Sequence, residues 1–71
     1  PQTVVELQAR NSQRTTITIA DLQGRMVAQQ SVQLQKGTNR LHIYAIPRLS
    51  KGAYCLWAEV DGVLQKIQFV R

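Results

Sequence analysis

Apolar and polar residues alternate with a period of two along most of this chain, the pattern of strands that bury one face and wet the other. The alternation recurs about every ten residues, as in a small all-β domain. It runs through Thr3–Ala9, with Val5 and Leu7 on one side, and through Thr15–Ala20, with Ile17 and Ile19 pointing the same way. It resumes in Arg25–Gln30, in Ser31–Gln35 with Val32 and Leu34 inward, and in Arg40–Tyr44 with Leu41 and Ile43 inward. Two further runs, Gly52–Val60 and Val63–Arg71, close the chain. No segment keeps helical spacing over a dozen residues. The pattern predicts six to seven short antiparallel strands in a small β-sandwich.

The breaks between runs carry turn chemistry. Asp21-Leu-Gln-Gly24 reads as a type I turn closed by Gly24 in the left-handed region, with the Asp21 carboxylate accepting N–H groups inside it. Ile19 is then expected opposite Val27. Lys36–Asn39 turns the chain again. Ala45–Lys51 contains Pro47, which cannot donate to a ladder, so it is read as a crossing segment in which Ile46 and Leu49 plug one end of the core.

Asp61-Gly62 is the strongest local signal, because a two-residue type I′ turn needs positive φ at both positions. That turn fixes a register. Val60 faces Val63, Leu56 faces Ile67 and Tyr54 faces Phe69, with Ala58 opposite Gln65. The other side carries Cys55 opposite Gln68, Trp57 opposite Lys66 and Glu59 opposite Leu64. The expected core includes Ile19, Val27, Leu41, Ile43, Tyr54, Leu56, Ile67 and Phe69.

At 71 residues the chain is one domain, 1–71, and 44 % hydrophobic against 18 % charged residues makes it globular. It begins with Pro1 rather than Met and is read as the end of a longer precursor. No apolar run is long enough to span a membrane as a helix. One cysteine excludes an internal disulfide, and Cys55 with His42 cannot make a four-ligand zinc site.

The net charge of +5 suits an acidic partner or a well-solvated surface, and the cations are scattered rather than clustered. Aromatics are too few for a single-strand platform, so nucleic acid is not an expected partner. No catalytic constellation emerges. Glu6, Asp21, Glu59 and Asp61 are the only acids, and turn capping accounts for the two aspartates. No metal or cofactor is expected.

The phrases Asp21-Leu-Gln-Gly-Arg-Met-Val27, Leu34-Gln-Lys-Gly-Thr-Asn39, Leu49-Ser-Lys-Gly-Ala-Tyr54 and Lys66-Ile-Gln-Phe-Val-Arg71 occur in that order. Together they resemble the type A C-terminal sorting domain of the type IX secretion system of Bacteroidetes. That family shows an Asp-x-x-Gly-Lys/Arg-x-Val hairpin, a Gly-x-Asn turn, a Leu-x-x-Gly-x-Tyr motif and a terminal Lys-rich apolar strand. By this resemblance, Asp21, Gly24, Arg25, Gly37, Asn39, Leu49, Gly52, Tyr54, Lys66, Gln68 and Arg71 are family-motif and recognition candidates. The family's opening Pro-Asn-Pro box is not present, and Gln68 interrupts the terminal apolar run.

The resemblance implies an Ig-like β-sandwich, not an enzyme, that carries an N-terminal cargo domain through the periplasm to the cell surface or beyond. Its implied partners are the type IX translocon and a surface sortase that cleaves the domain off. An exposed edge strand would serve for docking by strand addition, or for dimerisation. Two other readings stand beside this one. One is an adhesive or carbohydrate-binding sandwich using Trp57 and Tyr44. The other is a sorting-type domain retained uncleaved on a subunit of the secretion or sortase machinery.

Overall fold

Strands form where the side chains alternate, and the computed structural model, which describes residues 4–71, contains six of them. They are β1 (Val4–Ala9), β2 (Gln13–Asp21), β3 (Met26–Leu34), β4 (Gly37–His42), β5 (Ala53–Val60) and β6 (Val63–Val70). Thr3, expected to open the first strand, and Pro1 lie outside the described residues. A single 3₁₀ turn, Ile46–Arg48, stands in the crossing segment.

The strands make two antiparallel sheets, one of four strands ordered β3-β2-β5-β6 and one of two, β1-β4. The expected small sandwich is therefore found. Between the layers lie Leu7, Ile17, Ile19, Leu34, Ile43 and Leu56, with Ile46, Ala58 and Val60 in the same cluster. Ile46 plugs the core end as expected, and Leu49 packs against it.

The closing hairpin has the expected register at every pair, from Val60 opposite Val63 to Tyr54 opposite Phe69. Asp61 and Gly62 take φ of 55° and 78°, the left-handed values that a type I′ turn requires. At the first hairpin the Gly24 N–H donates to the Asp21 carbonyl at 3.0 Å, and Gly24 has φ 87°.

Six expectations are corrected. The turn expected over Lys36–Asn39 shrinks to Gln35-Lys36, because Gly37, Thr38 and Asn39 already pair with β1 as the start of β4. Arg25–Gln30 and Ser31–Gln35 are not separate strands, because nothing at Gln30-Ser31 breaks the chain, and β3 runs through. The inward parity of Val32 and Leu34 then extends back to Ala28. Ile19 consequently faces Ala28 instead of Val27, and a bulge passes Val27 over, leaving it exposed. Tyr44 falls beyond the end of β4 and is 74 % exposed. Ile67 is 49 % exposed, because β6 is the outer strand of the larger sheet and the two-stranded layer is too narrow to cover it. Leu41 and Phe69 are half-buried against the core rather than within it.

The two long sides of the sandwich are unlike. On the β3–β4 side, the Gln30 side chain spans the layers: its Nε2 donates to the His42 carbonyl at 2.9 Å and its Oε1 accepts from the Tyr44 N–H at 3.1 Å. That side is closed. On the β1–β6 side no comparable tie is present among the described residues, and a trough runs between the two edge strands.

Candidate docking site

Apart from Lys66 and Gln68 on β6, the motif residues fall into two groups at opposite ends of the sandwich. Asp21 of β2 lies opposite Tyr54 of β5, and Tyr54 lies opposite Phe69 of β6. The Tyr54 and Phe69 rings stack with centroids 5.7 Å apart. The Tyr54 hydroxyl donates to the Ser50 carbonyl at 2.7 Å, which ties the crossing segment to β5.

Gly52 and Arg71 continue the β5–β6 ladder. The Arg71 N–H donates to the Gly52 carbonyl at 2.8 Å, and the Gly52 N–H donates to the Arg71 carbonyl at 3.4 Å. The structure thus brings Asp21, Gly24, Arg25, Leu49, Gly52, Tyr54 and Arg71 to one end. Gly37 and Asn39 are not part of that group. Gly37 pairs with Ala9 and sits near the Asp61 turn, where it lines a depression with Arg10, Val60 and Asp61.

Most of these residues build turns. The Asp21 carboxylate accepts from the Gln23 and Arg25 backbone N–H groups at 3.0 and 2.9 Å, and from Arg25 Nε at 3.2 Å. The Arg25 backbone bond, the largest of these influences, holds the Asp21 carboxyl below its ordinary value. Asn39 is 8 % exposed and works as a staple where the chain leaves one sheet for the other. Its Oδ1 accepts from Gln35 N–H at 2.8 Å, and its Nδ2 faces the carbonyls of Gln35, Gly37 and Leu7 at 2.9, 3.1 and 3.3 Å. Asparagine supplies both the acceptor and the donors that this corner needs, with no charge to desolvate.

Lys66 and Gln68 stand on β6 opposite Trp57 and Cys55, on the side away from Leu56. Both are exposed, as are Val63, Leu64, Ile67 and Val70 on the same strand. An apolar row on an edge strand is a template for another strand unless something guards it. Here Lys66 is the only charge within β6.

The trough between β6 and β1 encloses about 530 Å³ at the end near Arg71. Val4, Val5, Ile46, Leu56, Ile67 and Phe69 form its apolar walls, and Arg71 closes it. The Arg71 Nη2 donates to the Pro47 carbonyl at 2.8 Å, while its Nε is buried with no acceptor among the described residues. The sequence singles out Arg71 as a recognition candidate but places Ile67 in the core, where the structure leaves it half-exposed. The signal available was the short partner layer, two strands against four, which only the pairing reveals.

Tyr44 lines a shallow depression with Val27, Gln29, Gln30, Arg48 and Leu49, and Trp57 is not among its walls. The two aromatics invoked for a carbohydrate site therefore do not share that surface. Among the described residues no three His, Cys, Asp or Glu side chains gather as a metal site. No helix among them is long and apolar enough to cross a membrane.

The family model described as the secretion system C-terminal sorting domain matches residues 2–69. No curated protein and no solved structure matches the chain.

Proposed function

Since this chain belongs to the family of secretion-system C-terminal sorting domains, it is a type IX sorting signal, and we propose that the export machinery reads it at β6 and Arg71. The domain directs an attached protein to the cell surface or out of the cell, and its cargo lies on the N-terminal side. The observation that carries the proposed reading site is the exposure of Ile67, a large apolar residue at 49 % on an unpaired strand edge. Burying such a residue in a complex is favourable, and the strand's free N–H and C=O groups supply directional bonds.

The other motif residues support this reading by what they do. Asp21, Asn39 and Tyr54 fasten turns and corners, so they hold the sandwich in shape rather than contact a partner. The domain acts as a rigid scaffold with no catalytic step of its own. In support, the Asp21 and Asp61 carboxylates are occupied by turn and loop hydrogen bonds, and Glu6 faces Arg40 at 3.6 Å. A translocon component and then a surface sortase, which detaches the domain from its cargo, are the proposed partners.

Fusion of the chain to an inert periplasmic passenger in type IX-competent cells tests the role. The passenger should reach the surface. A folded fusion that stays in the periplasm would refute the sorting role for this chain.

A further inference from the structure

Resting on that sorting role, we infer that the trough between β6 and β1 is a receptor site for one extended peptide strand that is apolar at alternate positions and carries a carboxylate, which Arg71 receives. The trough combines three observations. First, both its rims are edge strands, β6 of the larger sheet and β1 of the smaller. A strand laid along β6 would take up that edge's main-chain groups and drop alternate side chains into the trough.

Second, the floor and walls are apolar along the strand. Val5, Leu56, Ile67 and Phe69 lie at one end, and Leu7, Ala58 and the stem of Gln65 follow. Third, the charges that meet the trough without an ion pair among the described residues are cationic. Glu6, the one acid along its walls, is engaged by Arg40 at 3.6 Å. Lys66, at the rim, and Arg71 remain, and Arg71 holds a buried Nε with no acceptor among the described residues.

A guanidinium anchored on one side by the Pro47 carbonyl is presented rather than mobile, so its remaining donors favour a carboxylate over a neutral amide. The charge on the trough selects the acid and the alternation of its walls selects a strand. An acidic, β-forming peptide segment of the export machinery meets both demands.

The test uses the 71-residue chain and a blocked peptide of about eight residues, a length that matches β6 at roughly 3.3 Å per residue. The peptide alternates valine with threonine and bears a glutamate at each end; a second peptide has glutamine instead. In amide chemical-shift titrations the acidic peptide should shift β6, β1 and Arg71, and the glutamine peptide should bind about tenfold more weakly. Arg71→Gln should remove the difference between the two peptides. Because that change could loosen the Pro47 contact, Ile67→Glu serves as a second variant: its site is half-exposed, its fold should persist, and it should bind neither peptide.

Shifts confined to β3 or the Asp21 turn, equal affinity of the two peptides for the unaltered chain, or no binding would overturn the inference. So would a sedimentation profile showing that the trough is already filled by a second copy. Export of the passenger with no peptide binding would sink the trough and leave the sorting role standing. A passenger that is not exported, with the peptide still bound, would do the reverse.

Discussion

Gln13 and Asp61, from opposite ends of the chain, hold each other by two hydrogen bonds: Gln13 Nε2 donates to Asp61 Oδ1 at 2.7 Å, and Asp61 N–H donates to Gln13 Oε1 at 2.8 Å. Asp61 Oδ2 accepts in addition from the Arg10 N–H at 2.9 Å. The β5–β6 turn is thereby clamped to the loop between β1 and β2, and the hairpin end of the sandwich is shut.

This clamp makes stability pH-dependent. The Arg10 N–H first, then the Gln13 amide, holds the Asp61 carboxyl below its ordinary 3.8. A depressed carboxyl contributes stability that is fully present above its unfolded value and is lost as pH falls through the folded one. Asp21 adds to the same acid limb. Urea midpoints recorded from neutral pH downward should fall in that range. Asp61→Asn keeps a residue that tolerates positive φ but removes the charge, so it should lower the neutral midpoint and flatten the acid limb. An unchanged acid limb would show that the clamp carries no linkage.

Leu56 and Ile67 are cross-strand partners with unequal burial, 2 % against 49 %. Leu56→Ala should cost about 2–5 kcal/mol, the range for a buried leucine. Ile67→Ala should cost about 1 kcal/mol, because half of its surface is already wet. Denaturant midpoints of the two variants check this directly. Similar losses would mean that β6 is covered in solution.

The staple at the sheet-crossing corner is the third case. Asn39→Ala leaves the Gln35 N–H without its acceptor in a site 8 % exposed, at a cost of about 1–3 kcal/mol. Thr38→Val, next along the strand and exposed, should change little. Thermal melts of the pair should separate clearly. If they coincide, the corner is held by something other than Asn39.

What the sequence discloses here is local. Asp61-Gly62 fixes eight consecutive pairs, because a two-residue turn leaves one register open. Gly24 and Asp21 announce their turn in the same way. The miss at Val27 comes from Gln30-Ser31, where no turn residue marks the continuity of β3 and so its parity stays hidden. The miss at Ile67 is of another kind. Alternation says which side of a strand is apolar, but coverage depends on how many strands the opposite layer has, and that is a property of pairing. The motif residues were legible as positions; their division between the two ends of the sandwich was not, since Gly37 and Asn39 travel with β4 into the other layer.

The last prediction separates the recognised face from the scaffold. Deleting the end of β6 cannot do so, because Phe69 stacks on Tyr54 and its loss destabilises the core edge. Lys66 and Gln68 are better probes. They point away from Leu56, they are exposed, and the described residues give neither a salt bridge. Lys66→Glu with Gln68→Glu should leave the denaturation midpoint within about 0.5 kcal/mol of the parent, as for surface changes away from packing or caps. Yet the double change turns the charge of β6 from basic to acidic, and an acidic strand meeting an acidic partner is repelled. The variant should therefore fold like the parent and carry its passenger to the surface poorly. Pulse-labelled surface accumulation, read beside a melt of the purified variant, measures both. Normal export of the folded double variant would show that the machinery ignores the charge of β6, and the recognised surface would have to be sought on another edge.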